Sequence, residues 1–170
     1  MSKKELRVVA LDTSTKVSGW ALFINGVYKR SGSIDMHKTK DSGKRTKEMC
    51  FHLTNLIHKL KADEVVIEEL PSVRNMATVR ALSRVIGAIF YYCTAKSIEY
   101  EEMSCAVWRS VLGIDNRNRD NAKEMSINRV KRVYHKSVSD DEADAINIGE
   151  AYCYKKGYCE LKEGKIYGIK

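Results

Sequence analysis

Carboxylates occupy three places in this 170-residue chain where an acid has little structural reason to be. Asp12 closes the apolar run VVAL, and Glu68 and Glu69 close VVI. The third group lies in SDDEADAINIGEAY, residues 139–152. There Ser139 and Glu142 form a capping box, which starts a helix at Ser139. Acids in its first turn, Asp140, Asp141 and Glu142, favour the helix dipole. Asp144 lies beyond that turn, between Ala143 and Ala145-Ile146, where an ionised carboxylate facing a core is costly without a partner. Asp141 and Asp144 are three residues apart and share a face. Carboxylates gathered at one spot repel one another, and a divalent cation relieves that repulsion. Hard oxygen donors with no His or Cys among them select Mg2+, with Mn2+ able to substitute, over zinc. Two such ions about 3.5–4 Å apart clamp the attacking and leaving oxygens of a phosphodiester.

The elements that must bring these acids together are legible in the pattern. LRVVALD (6–12) reads as a buried strand. VSGWALFI (17–24) and VYKRSGSI (27–34) flank Asn25-Gly26, the strongest short hairpin signal, since both turn positions need positive φ. In residues 44–61, Met49, Leu53, Leu56, Ile57 and Leu60 recur at helical spacing. EVVIEEL (64–70) is too short for a helix and predicts a central strand. Residues 74–96 predict a long helix, 97–103 a fifth strand, and 104–112, 120–135 and 140–155 three more helices. The order βββαβαβααα predicts an α/β chain, a single domain with a five-stranded mixed sheet covered by helices. If the first and fourth strands are neighbours, Asp12 lies beside one of Glu68 and Glu69, because successive side chains face opposite ways.

Composition narrows the partner. The formal net charge is +8, with 44% apolar and 31% charged residues, as in a globular chain with an acidic partner. Between Lys29 and Lys47 there are seven Lys and Arg against two Asp, and between Arg109 and Lys136 eight against three acids. Two such runs beside the acids predict phosphate-contacting walls that position DNA without reading its sequence. The loop DNRNRDN (115–121) carries Arg117 and Arg119. Trp20 is assigned to the core. The five cysteines are odd in number and contain no CxxC pair, which predicts reduced thiols and no zinc site. MSKKELRVV lacks a signal-peptide apolar region, and the apolar run 85–95 is about half of what a membrane span needs. The expectation is a cytoplasmic protein that crosses no membrane.

With these residues in place, the chain resembles the RuvC-type Holliday junction resolvases of the RNase H-like fold, from about residue 6 to 152, and the smaller phage-type members in particular. Asp12, Thr15, Lys16, Gly19 and Trp20 match the family's opening aspartate, turn, basic residue and Gly-aromatic pair. Ile67-Glu68 matches its fourth-strand Ile-Glu, which selects Glu68 over Glu69. Asp141-x-x-Asp144-Ala145 matches its last helix, with Asp140 as an alternative ligand. Arg74-Asn75 matches a basic-Asn pair that begins the long helix, and Lys123 a lysine opening the penultimate one. The sequence departs from the family at Ser14, where Gly is usual, at Trp108, where a lysine is expected with Arg109 now beside it, and at Pro71, where some members carry an aromatic wedge. The resemblance implies a metal-dependent endonuclease that nicks four-way junctions, with Asp12, Glu68, Asp141 and Asp144 holding two Mg2+ ions. Lys123 would contact the scissile phosphate, and Arg74, Asn75, Arg109, Arg117 and Arg119 would contact DNA.

Three rival readings stay open at this stage. One is another nuclease of this fold, acting on flaps, other branched DNA or RNA–DNA hybrids. Another is an actin-like ATP binder, which needs roughly twice the length and a Gly-rich phosphate loop. The third is a non-catalytic nucleic-acid binding module. A homodimer is also expected, because a two-fold junction needs two symmetric nicks. On the long helix, Val79, Leu82, Ile86, Ile89, Phe90 and Cys93 are assigned to the sheet. A second seam of Ala77, Ala81, Val85, Ala88, Tyr92 and Ala95 is assigned to the partner subunit.

Overall fold

The computed structural model describes residues 5–70, 75–115 and 118–163. Its elements follow the expected order: β1 (Arg7–Asp12), β2 (Val17–Ile24), β3 (Val27–Asp35), α1 (Ser42–Leu60), β4 (Glu64–Glu68), α2 (Met76–Ala95), β5 (Glu99–Met103), α3 (Cys105–Leu112), α4 (Arg119–Tyr134) and α5 (Asp140–Lys155). The sheet order is β3-β2-β1-β4-β5. The first three strands are antiparallel, and β4 and β5 run parallel to β1. At the hairpin, Asn25 and Gly26 both have positive φ, 51° and 75°. β4 stops at Glu68, two residues short of the expected end, although the Glu69 amide still bonds the Met103 carbonyl at 3.0 Å.

Alternation along the strands builds two cores. Val8, Ala10, Ala21, Phe23 and Val66 face α3, α4 and α5. Val9, Leu11, Leu22, Val65 and Ile67 face α1 and α2. Even-numbered Asp12 and Glu68 continue the first set, so the pleat aims both acids at the α5 side. Trp20 packs with the second core, as assigned. Helix α5 is buried on all sides from Ala143 to Cys153, because the sheet lies on one flank and α3 and α4 on the others.

The faces of α2 differ from expectation. Its buried residues are Leu82, Val85, Ile89 and Cys93, a three-four spacing that takes Val85 out of the proposed partner seam and into the core. Tyr92 is drawn in with it, its hydroxyl against His58 of α1 at 3.1 Å. Phe90, assigned to the sheet, is 54% exposed and packs edge-on against Tyr100. Two overlapping apolar stripes on one helix left the sequence without a means to choose, and α1 covering the flank made the choice.

Between α4 and α5 runs a buried polar seam with a step of three residues on both helices. Ser126 Oγ donates to Asp144, Asn147 Nδ2 donates to Ser126 Oγ, and Arg129 bonds Asn147 and both oxygens of Glu150. Arg129 and Glu150 are almost wholly buried. Removing one partner of such a pair leaves the other charge stranded, at a cost of about 3–5 kcal/mol.

Candidate active site

The site stands at the C-terminal ends of β1 and β4. Leu11 is paired with Ile67, so Asp12 and Glu68 end neighbouring strands side by side. On the other flank Asp12 stands opposite Gly19 of β2. A Cβ on Gly19 would lie 1.8 Å from the Asp141 carbonyl oxygen. The missing side chain is what lets the first turn of α5 rest on β2, next to Asp12. Ser139 caps that turn, its hydroxyl accepting from the Glu142 amide at 3.3 Å.

The gathered acids act on one another electrostatically. Asp12 is held well above the ordinary carboxylate range, first by burial and then by the charges of Glu68, Asp144, Asp141 and Asp140. Asp144, only 8% exposed, is pushed up to about 6. Burial is the main cause, Glu68 adds to it, and the Ser126 hydrogen bond (2.5 Å) and Arg109 oppose it. Asp141 is raised by burial and by Asp140. Asp140 is lowered by its hydrogen bond from Lys123, so this acid is engaged with the lysine. Glu69 is exposed.

Two cations and two neutral donors serve the cluster. Lys123 sits on Asp140. Arg109, largely buried, reaches to 4.0 Å from Asp144. Trp108, fully buried, donates its indole N–H to Glu68 Oε1 at 3.1 Å. The sequence reading missed Trp108 and Ser126 as partners of the acids. The signal for Ser126 was present: Lys123, Ser126 and Arg129 recur every third residue on α4, as Asp144, Asn147 and Glu150 do on α5. Trp108 carried no such signal, because a tryptophan reads as core.

Asp12, raised by the charges of Glu68, Asp144 and Asp141, forms with those three a hard-oxygen set that fits a divalent cation. The nearby thiol of Cys105, pushed up to about 12 by burial and then by Glu68, stays protonated and does not alter that character. As they stand, no three His, Cys, Asp or Glu side chains among the described residues converge at ligating distance, so binding an ion would draw the acids inward.

The basic runs are less available than their sequence implied. Among the described residues between 109 and 136, Arg109 pairs with Asp144, Lys123 with Asp140, Arg129 with Glu150, Arg132 with Glu163 and Lys136 with Glu142. Arg129 in particular belongs to the core and corrects the idea of a continuous basic wall there. Lys38, Lys40, Lys44 and Lys47 are exposed at the Asp12 end of the sheet, where the Met36 amide bonds the Lys16 carbonyl at 2.7 Å. Asn75 caps α2, its side-chain oxygen accepting from the Ala77 and Thr78 amides. Arg74, Pro71, Arg117 and the side chain of Arg119 lie outside the described residues. No helix among the described residues is long and apolar enough to cross a membrane.

Known proteins are similar to this chain in sequence and in fold. The RuvC of Magnetococcus marinus, a crossover junction endodeoxyribonuclease, is 24% identical over 159 residues, 90% of this chain and 86% of its own. That of Brachyspira hyodysenteriae is 29% identical over 133 residues, 75% of this chain and 80% of its own. Among solved structures, Thermus thermophilus RuvC in complex with a Holliday junction substrate superposes with a TM-score of 0.68 at 13% identity, covering 90% of this chain and 98% of that one. The Fowlpox virus resolvase bound to Holliday junction DNA gives 0.62 at 14% identity, covering 89% and 99%. The family model for the crossover junction endodeoxyribonuclease RuvC matches residues 8–152, a span that runs from β1 through the acids of α5, and the chain therefore belongs to the RuvC family.

Proposed function

We propose that this junction-resolving endonuclease acts as a single RNase H-like domain, in the cytoplasm, and nicks four-way DNA junctions with Asp12, Glu68, Asp141 and Asp144 as ligands of two Mg2+ ions. The observation that carries the reading is the Asp12 carboxyl, which feels four other acids delivered by β4 and α5. When bound, the ions supply activation of the attacking water and stabilisation of the leaving 3′ oxygen. Ser126 orients Asp144 by its hydroxyl, and Trp108 holds Glu68. Lys123, tethered at the rim by Asp140, faces the scissile phosphate and offsets charge that develops there. Lys38, Lys40, Lys44 and Lys47 supply one phosphate-contacting wall, and Arg74, Asn75, Arg109, Arg117 and Arg119 are further DNA contacts in this proposal.

Metal linkage tests this. A ligand bound only by the folded state adds RT ln(1 + [L]/Kd), about 2.7 kcal/mol at 100 Kd. Titration with Mg2+ or Ca2+ is expected to raise the melting temperature by roughly 5–10 °C. Asp141→Asn is expected to shrink that rise. A flat melt across a wide titration contradicts a shared site.

The protein is further proposed to act as a homodimer through the outer face of α2. Met76, Phe90 and Tyr91 are 60%, 54% and 74% exposed there. A groove of about 380 Å³ beside them is lined by Leu70, Ser83, Ile86, Gly87, Phe90 and Glu102. Because Val85 is core, the variant that probes the interface is Phe90→Glu with Tyr91→Glu. Sedimentation is expected to show a folded monomer whose two nicks are uncoupled. A wild-type protein that is monomeric at tens of micromolar while making paired nicks contradicts the dimer.

A further inference from the structure

We propose that Trp108 is a positioning residue for cleavage: its indole N–H pins one oxygen of Glu68, leaving the other as the oxygen presented to a cation. Trp108 lies on α3 and is fully buried, and its Nε1 donates to Glu68 Oε1 at 3.1 Å across a separation of 40 residues. The indole N–H is a donor only, so it holds a carboxylate without competing for the metal. It also satisfies itself by doing so, since a buried N–H without an acceptor is costly. The Trp108 ring also seats the neighbouring Arg109, whose guanidinium carbon lies 4.9 Å from the ring centroid while its nitrogen stands 4.0 Å from Asp144. One short helix thus addresses two acids carried by two other elements, Glu68 on β4 and Asp144 on α5. A glutamate at the end of a strand has three rotatable bonds, and fixing it beforehand removes an ordering cost from metal binding.

The proposal rests on the reading of Glu68 as a metal ligand, so the test separates the two. In a Trp20→Phe background, Trp108 is the only indole. Its N–H resonance is expected to move in Glu68→Gln and on addition of Mg2+ alone. Trp108→Phe is expected to raise the Mg2+ concentration for half-maximal cleavage by about 10- to 100-fold. Its junction affinity in EDTA is expected to stay unchanged. Should Trp108→Phe fold poorly, replacing Trp108 in the same background by its benzothiophene isostere keeps ring size and removes only the N–H. The isostere is expected to show the same rise in Mg2+ requirement. An indole resonance indifferent to Glu68→Gln, or an isostere with the parental Mg2+ midpoint, overturns the positioning role while Glu68 stands as a ligand. A Glu68→Gln protein that cuts at the parental rate and midpoint overturns the ligand reading, and the positioning role with it.

Discussion

Asp12→Asn is expected to lower the cleavage rate of a four-way junction by on the order of 10³-fold or more, about 4 kcal/mol of transition-state stabilisation. Asparagine keeps the shape of the side chain and removes its charge. Asp12 ends the central strand of the acid cluster, and its carboxyl is the one that responds to all the others. On the proposed reading, losing it removes one of the four carboxylates that would hold the cation. Junction affinity is expected to hold, because Lys38, Lys40, Lys44 and Lys47 are untouched. Stability without metal is expected to hold or rise, because a buried, repelled charge has gone. Electrophoretic binding and a thermal melt therefore distinguish this outcome from misfolding. Asp144→Asn is expected to behave in the same way.

Gly19→Ala is expected to have the next largest effect, although residue 19 carries no chemistry. Its Cβ would meet the Asp141 carbonyl oxygen at 1.8 Å, and the neighbouring Glu142 amide nitrogen at 2.8 Å. Both are backbone atoms, so no rotamer relieves the clash and the first turn of α5 must move. A displacement of about 1 Å at catalytic groups costs on the order of 10²-fold in rate. The strain is expected to lower stability by about 1–3 kcal/mol. Rate and melting temperature should fall together, which marks a positional effect and contrasts with Asp12→Asn. A Gly19→Ala protein with the parental rate would contradict the close seating of α5 on β2.

The order of elements was legible because β1 and β4 are short unbroken apolar runs, Asn25-Gly26 marks the hairpin between β2 and β3, and α1 keeps a three-four period. The acid site was legible because Asp12, Glu68 and Asp144 each break such a run with a charge. What stayed hidden depended on contacts between distant segments. Trp108 reads as core and is core, yet its one polar atom reaches Glu68. Arg129 and Lys136 read as surface charge, yet each meets an acid on α5. Charge counts along a sequence cannot separate a cation that faces solvent from one that pairs inside. The two apolar stripes of α2 were ambiguous for the same reason, since only the position of α1 decides which is covered.

The central claim is that this acid cluster nicks four-way junctions with a divalent cation. Labelled four-way junction, flap, RNA–DNA hybrid and plain duplex, each incubated with the purified protein in Mg2+ and in EDTA, test it most directly. Symmetric nicks in the four-way junction with Mg2+, none in EDTA, and little cutting of the other three substrates is the predicted result. Cleavage that persists in EDTA, or that favours hybrid, flap or duplex over the junction, would contradict it.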